Sequence, residues 1–219
     1  MIKFSLFEFI NSIGEKQLAI KAIIFDMEGV LMKTGDMDLP ACWAKALNAP
    51  YDAVRDVFFS EMNDKADLGV VSQKEFDHYL VTSLGLDMDM MPRVQKVIDK
   101  QCYIDQELAD KILELKQTYK IGLLSNYSKM LRDKIENDWD INHLFDDIII
   151  SYEVGLIKPD PAIFDLALSR LGISAHDTVF IDDRIKNIHG ARQHGIHAIH
   201  YQTREQALAD LNAVIEAEN

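Results

Sequence analysis

The stretch Lys21-Ala-Ile-Ile-Phe-Asp-Met-Glu-Gly-Val-Leu31 decides the fold of this chain. Its apolar run, Ala22–Phe25, stops at Asp26, and Glu28 and Gly29 follow at once. A short apolar run between polar residues is typical of a buried strand in a parallel sheet. Ligands bind outside the carboxyl ends of such strands, so Asp26 is expected to face a ligand. The alternative is an ordinary turn, in which Asp and Gly are both common.

Beyond residue 105, apolar runs alternate with helical patterns, which indicates βαβ units and a parallel sheet with right-handed crossovers. The predicted strands are 22–25, 121–124, 147–150, 178–181 and 196–199. The predicted fold is therefore α/β, a doubly wound, Rossmann-like parallel sheet.

Between residues 38 and 103 the apolar residues recur at helical spacing, without a strand pattern. The predicted helices are 39–47, 53–62, 72–84 and 90–101. Four helices inserted after the first strand indicate a small helical bundle. The predicted domains are a core, 1–34 and 105–219, and a four-helix cap, 35–104. Thr34 and Gly35 form the predicted linker on which the cap hinges.

Composition and charge argue against several classes of function. Lys and Arg total 23 against 36 Asp and Glu, so the formal net charge is −13. This charge repels polyanions, and we expect no nucleic-acid partner. No apolar run reaches the roughly 18 to 20 residues that a membrane span requires. Cys42 and Cys102 are too few for a disulfide framework, and we expect both to be packing residues in a reducing compartment.

The N-terminal segment has a charged Glu8 inside an apolar run, which makes it a poor secretion signal. If the segment is helical, one face carries Phe4, Leu6, Phe7 and Ile10. We expect an additional helix on the core, with a dimer contact or a membrane-surface anchor as alternatives. The protein is predicted to be cytoplasmic, as a monomer or a homodimer.

Polar groups also follow the second predicted strand. Ser125 and Asn126 come just before a predicted helix, 129–137. A hydroxyl, an amide and free backbone N–H groups at such a position make a phosphate cradle. The alternative is a helix N-cap, for which Ser and Asn are both preferred.

A lysine lies in the loop after the third strand. Lys158 stands directly before Pro159, which favours an extended backbone and lets the side chain point into the crevice. A compact ammonium group is suited to neutralising phosphate oxygens. The alternative is a solvated surface lysine.

The fourth strand ends in two adjacent carboxylates, Asp182 and Asp183. Beside Asp26 they would repel one another strongly unless a cation lay among them. Hard oxygen ligands with positions left open for water and phosphate favour Mg²⁺. Asn187, one helical turn beyond Asp183, is placed to brace these carboxylates.

A second cluster of metal-binding residue types is present near the C-terminus: His189, His194, His197 and His200. Their spacing crosses a predicted helix, a turn and a strand. Within that strand, His197 and His200 face opposite ways. We therefore expect no transition-metal site there.

Together these residues resemble the haloacid dehalogenase (HAD) superfamily, in its branch with a helical cap after the first strand. The four motifs are Asp26-Met-Glu-Gly-Val, Leu124-Ser-Asn, Lys158-Pro and Asp182-Asp183. The resemblance covers nearly the whole chain beyond residue 20. The run 180–192 is similar to sugar-phosphate phosphatases and to the phosphatase domain of soluble epoxide hydrolases, and 69–76 resembles the cap of that branch.

The resemblance implies a Mg²⁺-dependent phosphatase of small phosphomonoesters, with sugar phosphates as the expected substrates and a small phosphorylated metabolite as the partner. Asp26 would attack phosphorus and form an aspartyl-phosphate. Glu28 would protonate the leaving alcohol and then activate water. Lys158 and Mg²⁺ would offset charge in the transition state.

The resemblance also implies which groups hold the phosphate and the metal. The phosphoryl oxygens would be held by Ser125, Asn126, Lys158 and the backbone N–H groups of Met27 and Glu28. The metal would be bound by Asp26, the carbonyl of Glu28 and Asp183, with Asp182 bonding directly or through water.

One residue departs from the family pattern, because the family usually has Asp at the position of Glu28. The longer side chain can still act as acid and base, but this departure leaves open a non-catalytic binding protein that retains the fold. A phosphomutase of the same fold is a separate alternative.

Cap residues are expected to shape the site for the leaving group. The candidates for contacting it are Trp43, Lys65 and Asp67. Three neighbouring apolar residues are predicted to belong to the core of the bundle instead: Phe58, Phe59 and Met62.

Overall fold

The structure, a computed structural model, describes residues 20–218, so the predicted N-terminal helix lies outside the described residues. The described strands are β1 (Ala22–Phe25), β2 (Met32–Lys33), β3 (Tyr103–Ile104), β4 (Lys120–Ser125), β5 (Asp147–Ile150), β6 (Thr178–Asp182) and β7 (His197–His200). The described α-helices are α1 (Leu39–Leu47), α2 (Tyr51–Phe58), α3 (Glu61–Asp67), α4 (Gln73–Ser83), α5 (Met91–Gln101), α6 (Gln106–Leu115), α7 (Met130–Asp133), α8 (Ser151–Val154), α9 (Pro161–Leu171), α10 (Ile185–Gln193) and α11 (Arg204–Glu218).

Five strands form one parallel sheet in the order β5-β4-β1-β6-β7. The central strand, β1, is buried on both faces: Ile23 and Phe25 join one apolar cluster, and Ala22 and Ile24 join another. Alternate side chains of a strand point to opposite faces, which explains why this strand is an uninterrupted apolar run. The predicted doubly wound α/β fold is confirmed.

The insertion is helical, as predicted, but residues 39–101 contain five α-helices instead of four. The predicted helix 53–62 is divided into α2 and α3. The division follows from Ser60, whose hydroxyl accepts a hydrogen bond from the backbone N–H of Asn63 and so caps a new helix. The cap helices pack through aromatic contacts. The ring centroids of Trp43 and Phe58 are 5.8 Å apart, and those of Phe58 and Phe76 are 6.1 Å apart.

The chain leaves and re-enters the core through a two-stranded antiparallel pair, β2 with β3. Met32 is opposite Ile104, and Lys33 is opposite Tyr103. Because β2 follows the loop at the carboxyl end of β1, this pair anchors the helical insertion beside that end of the sheet. The domain limits at 34/35 and 104/105 and the hinge at Thr34 and Gly35 remain predictions.

Among residues 20–218, no helix has the length and apolar character needed to cross a membrane.

Candidate active site

A buried lysine joins two of the strand-end carboxylates. Lys158 is 1% exposed, and its ammonium group donates to Asp26 and to Asp182, each at 2.7 Å. Its third hydrogen bond, also 2.7 Å, goes to the carbonyl of Leu124 in β4. All three donors are therefore used inside the protein, and the alternative of a solvated surface lysine is wrong.

Asn126 fixes the loop that carries this lysine. Its carboxamide oxygen accepts from the backbone N–H of Lys158 at 2.8 Å, and its Nδ2 donates to the carbonyl of Lys158 at 2.9 Å. Asn126 therefore positions Lys158 and has one amide hydrogen left for a ligand.

Ser125 and Asn126 do not cap a helix. The helix that follows begins only at Met130 and continues as a π-helical turn, Lys134–Asp138. The hydroxyl of Ser125 is buried and has no hydrogen-bond partner among residues 20–218. The N-cap alternative is therefore wrong, and the buried hydroxyl remains available to a ligand.

Three carboxylates meet at the carboxyl ends of β1 and β6. Asp26, Asp182 and Asp183 each offer an oxygen within 4.8 Å of the others, so this group could hold a metal ion. Asp182 is already saturated, because its oxygens accept from Lys158, from Asn187 and from the backbone N–H of Arg184. Asp183 differs, since its buried Oδ1 has no partner in the described part of the chain.

Gly29 allows the loop after β1 to approach Asp183. Its φ of +77° lies in the left-handed region, and a Cβ at this position would lie 2.5 Å from Asp183 Oδ2. Only glycine fits there without strain. The loop that carries the Glu28 carbonyl is thereby held next to the unpaired carboxylate.

The charges of this cluster are strongly coupled. Burial raises the pKa of Asp26 well above its ordinary value; the Lys158 ammonium opposes this rise, while Asp182 and Asp183 add to it. Burial, followed by the charge of Asp182, also raises the pKa of Asp183. Burial alone would lower the pKa of Lys158, but Asp182 and Asp26 outweigh it and raise that pKa. A bound cation would favour ionisation of both raised carboxyls.

The chain matches the sequence pattern of the haloacid dehalogenase-like hydrolase family over residues 20–195. It belongs to this family. The resemblance seen in the four motifs is thus confirmed, and the protein is a HAD-like hydrolase.

Two relatives and one solved structure illustrate what this HAD-like hydrolase is similar to. A D-ribitol-5-phosphate phosphatase from Bacteroides thetaiotaomicron is 27% identical, over 80% of this chain and 89% of its own length. A phosphorylated carbohydrates phosphatase from Thermotoga maritima is 26% identical, over 90% of this chain and 91% of its own. The fold matches that of a HAD family enzyme from Bacteroides thetaiotaomicron, solved with magnesium and inorganic phosphate. That match has a TM-score of 0.67 at 22% identity, over 84% of this chain and 96% of that one.

Glu28 of this hydrolase lies at the edge of the cluster, with one carboxylate oxygen 3.9 Å from the guanidinium of Arg184. Burial raises the pKa of Glu28, and Arg184 opposes the rise. A raised pKa keeps a larger fraction of the carboxyl group protonated, which suits a group that must donate a proton.

A cavity of about 80 Å³ lies between the cap and the carboxyl ends of the strands. Glu28, Asn126 and Arg184 line it from the core. Cap residues that line it include Trp43, Phe58, Asp67, Phe76, Gln95 and Asp99. Of the predicted leaving-group residues, Trp43 and Asp67 thus reach the cavity.

Two expectations for the cap are wrong. Lys65 is exposed and does not line the cavity, because it lies on the outer side of α3. Phe59 is 60% exposed and lies outside the core of the bundle. Its ring centroid is 5.0 Å from the guanidinium carbon of Arg184. Phe58 packs in the bundle and also lines the cavity, and Met62 is partly buried against the core.

The histidines near the C-terminus do not converge. His194 pairs with Asp165, and the rings of His197 and His200 contact the carbonyls of His176 and Asp183 respectively. Within residues 20–218 the three carboxylates described above are the group suited to a metal.

Sequence reasoning missed several residues of the cavity: Asp99, Tyr127, Lys134 and Arg184. Arg184 had an available signal, because it directly follows the acidic pair Asp182-Asp183. Lys134 had none, since it enters the cavity through a π-helical turn that has no sequence signature.

Proposed function

We propose that this HAD-like hydrolase is a Mg²⁺-dependent phosphatase that hydrolyses small phosphomonoesters, such as sugar phosphates, through an aspartyl-phosphate. The observation that carries the proposal is the buried contact between Asp26 and Lys158 at the end of β1, next to a cavity that Glu28 and Asn126 line. It is supported by the relatives, two of which are named as phosphatases of D-ribitol 5-phosphate and of phosphorylated carbohydrates.

Asp26 is suited to be the nucleophile. Lys158 holds one of its carboxylate oxygens, and the other accepts no hydrogen bond from the described residues. This second oxygen forms the bond to phosphorus while the bond from phosphorus to the leaving alcohol breaks. Glu28 gives its proton to the leaving oxygen. Glu28 then takes a proton from water as that water attacks phosphorus, which releases inorganic phosphate and restores Asp26.

Several donors that have no hydrogen-bond partner among the described residues are available for the phosphoryl oxygens. They are the hydroxyl of Ser125, one amide hydrogen of Asn126 and the backbone N–H groups of Met27 and Glu28. Donors held in place before the reaction stabilise developing charge without reorganisation. Lys158 adds a fixed positive charge beside them.

The acidic cluster fits Mg²⁺, because no described residue bonds to the buried Asp183 Oδ1 and the neighbouring groups are hard oxygen ligands. Asp26, Asp183 and the carbonyl of Glu28 would hold the ion. Asp182 would reach it only through water, because its oxygens are already bonded to protein donors. When bound, Mg²⁺ offsets the negative charge of the phosphoryl group.

A phosphate-release assay over a panel of sugar and polyol monophosphates, with Mg²⁺ or with a chelator, tests the proposal. We expect turnover with Mg²⁺, no turnover with the chelator, and none for the Asp26→Asn variant. Unchanged turnover by that variant would mean that Asp26 is not the nucleophile. A hexose 1-phosphate in the panel decides between hydrolysis and the phosphomutase alternative, because a mutase returns an isomeric sugar phosphate instead of free phosphate.

A further inference from the structure

The guanidinium group of Arg184 lines the cavity beside Glu28, and the proposed hydrolysis does not use it. The backbone of Arg184 is fixed at the start of α10, where its N–H group donates to Asp182 Oδ1 at 2.7 Å. Its side chain is only 31% exposed. Within residues 20–218, none of the five N–H groups of the guanidinium makes a hydrogen bond. All five donors are therefore open to a ligand in the cavity.

A cap residue holds this guanidinium in place. Phe59 directly follows α2, and its largely exposed ring lies with its centroid 5.0 Å from Arg184 Cζ. A cation–π contact attracts the charge of the guanidinium and leaves its N–H groups available for hydrogen bonds. The contact joins the cap to the core beside the cavity.

The distance between Arg184 and Glu28 indicates what lies between them. Arg184 Nη2 is 3.9 Å from Glu28 Oε1, which is too long for a direct hydrogen bond. Both atoms can, however, hydrogen-bond to one oxygen atom that lies about 2.9 Å from each of them. Glu28 is the proposed acid and base, so this oxygen is first that of the leaving alcohol and then that of the attacking water. Both occupy the same place, opposite Asp26, because displacement at phosphorus is in line.

We propose that Arg184 is a catalytic residue that, together with Glu28, holds the water that hydrolyses the aspartyl-phosphate, and that Phe59 positions Arg184. The proposal rests on the proposed phosphatase function. One lone pair of the water accepts an N–H of Arg184, and the other forms the bond to phosphorus. One proton of the water passes to the Glu28 carboxylate. The bond between phosphorus and the Asp26 oxygen breaks, its electron pair returns to the Asp26 carboxylate, and Arg184 neither gains nor loses a proton.

Rapid mixing of the full chain with p-nitrophenyl phosphate, at saturating Mg²⁺, separates the two half-reactions. The burst of p-nitrophenolate measures formation of the adduct on Asp26, and the decay of that adduct measures attack by water. Because p-nitrophenolate is a stable anion, its departure depends little on Arg184. We expect Arg184→Met to slow adduct decay about 10- to 100-fold, as the loss of a charged donor should, and to slow the burst less than about threefold.

Matched control variants separate the contact with water from general effects. Arg170→Met removes an exposed arginine that lies 3.7 Å from Asp147 and does not line the cavity, so both rates should be unchanged. Phe59→Leu should slow adduct decay about two- to fivefold, because it removes the cation–π contact. Val70→Ala, which shortens another exposed apolar side chain of the cap, should leave adduct decay unchanged. If Arg184→Met fails to fold by circular dichroism, Phe59→Leu decides.

A selective loss in adduct decay supports the inference, because a merely structural role would slow both half-reactions. Equal slowing of the burst and of the decay by Arg184→Met would overturn it, as would a decay within about twofold of the wild type. At about pH 9, carboxyl groups with raised pKa values are also ionised. If the slowing disappears there, Arg184 only keeps Glu28 ionised, and the inference is overturned. An unchanged decay in Phe59→Leu would overturn the role of Phe59.

Failure of the proposed function gives a different result from failure of this inference. If the wild type forms no adduct and releases no phosphate from p-nitrophenyl phosphate, the proposed function fails, and the inference is overturned with it. If the wild type and Arg184→Met form and hydrolyse the adduct equally fast, only the role of Arg184 is overturned.

Discussion

Replacing Lys158 by Met should destabilise the protein far more than the loss of an ordinary ion pair. The variant keeps a side chain of similar length but removes the positive charge between Asp26 and Asp182, which are 5% and 0% exposed. It also leaves the carbonyl of Leu124 without its donor. Removing one partner of a buried, hydrogen-bonded ion pair costs about 3–5 kcal/mol.

The structure supplies a matched control. Lys21 makes an ion pair of the same length with Asp177, 2.7 Å, but its side chain is 36% exposed. Exposed pairs contribute about 0–1 kcal/mol, so Lys21→Met should be nearly neutral.

Urea unfolding followed by circular dichroism, with a chelator present, gives the free energy of unfolding of each protein. We expect Lys158→Met to lower it by about 3–5 kcal/mol and Lys21→Met by no more than about 1 kcal/mol. A loss for Lys158→Met as small as that of the control would refute the reasoning, because Lys158 would not then compensate buried carboxylates.

Two further predictions concern the site and its cavity. Gly29→Ala should reduce kcat and weaken Mg²⁺ binding measured by calorimetry, because the new Cβ would displace Asp183 Oδ2 from its place 2.5 Å away; unchanged affinity would contradict this. Burial raises the pKa of Asp67 to about 7 from 3.8, with the charge of Glu28 adding to the rise. Between these values the folded state binds more protons than the unfolded state, so wild-type stability should fall as pH rises from about 4 to 7. In the Asp67→Asn variant the free energy of unfolding, measured by urea titration at about pH 4 and about pH 7, should fall between these two values by at least about 1 kcal/mol less than in the wild type. An equal fall in the two proteins would contradict this prediction.

The sheet and its strand-end residues could be predicted because both signals are local. The run Ala22–Phe25 is apolar without interruption, as a strand covered on both faces must be. Asp26, Ser125 and Asp182 each stand at a strand end, and Lys158 lies in the connection after β5; the parallel topology brings these positions to one edge of the sheet.

The cap and the cavity could be predicted only in part, because their geometry depends on contacts between segments distant in sequence. Asp99 meets Lys134 across 35 positions, and the register of a π-helical turn decides that contact. Phe59 is apolar in a helical pattern, yet it packs on Arg184 of the core instead of inside the bundle. Asn126 shows the same limit: its type suggested a phosphate ligand, but its second role, holding the backbone of Lys158, depends on a contact across 32 positions.

The proposed mechanism depends most on Asp26 as the group that accepts the phosphoryl group. Rapid quenching of the Glu28→Gln variant during turnover of p-nitrophenyl phosphate, followed by peptide mass spectrometry, tests this directly. The p-nitrophenolate leaves without a proton from residue 28, whereas hydrolysis of the covalent intermediate still needs Glu28 to activate water, so the adduct should accumulate. We predict a single phosphoryl adduct on the peptide that contains Asp26, and none when Asp26 is replaced by Asn. An adduct on another residue would contradict the assignment of Asp26 as the nucleophile. Phosphate release by the Glu28→Gln variant without any adduct would contradict it as well.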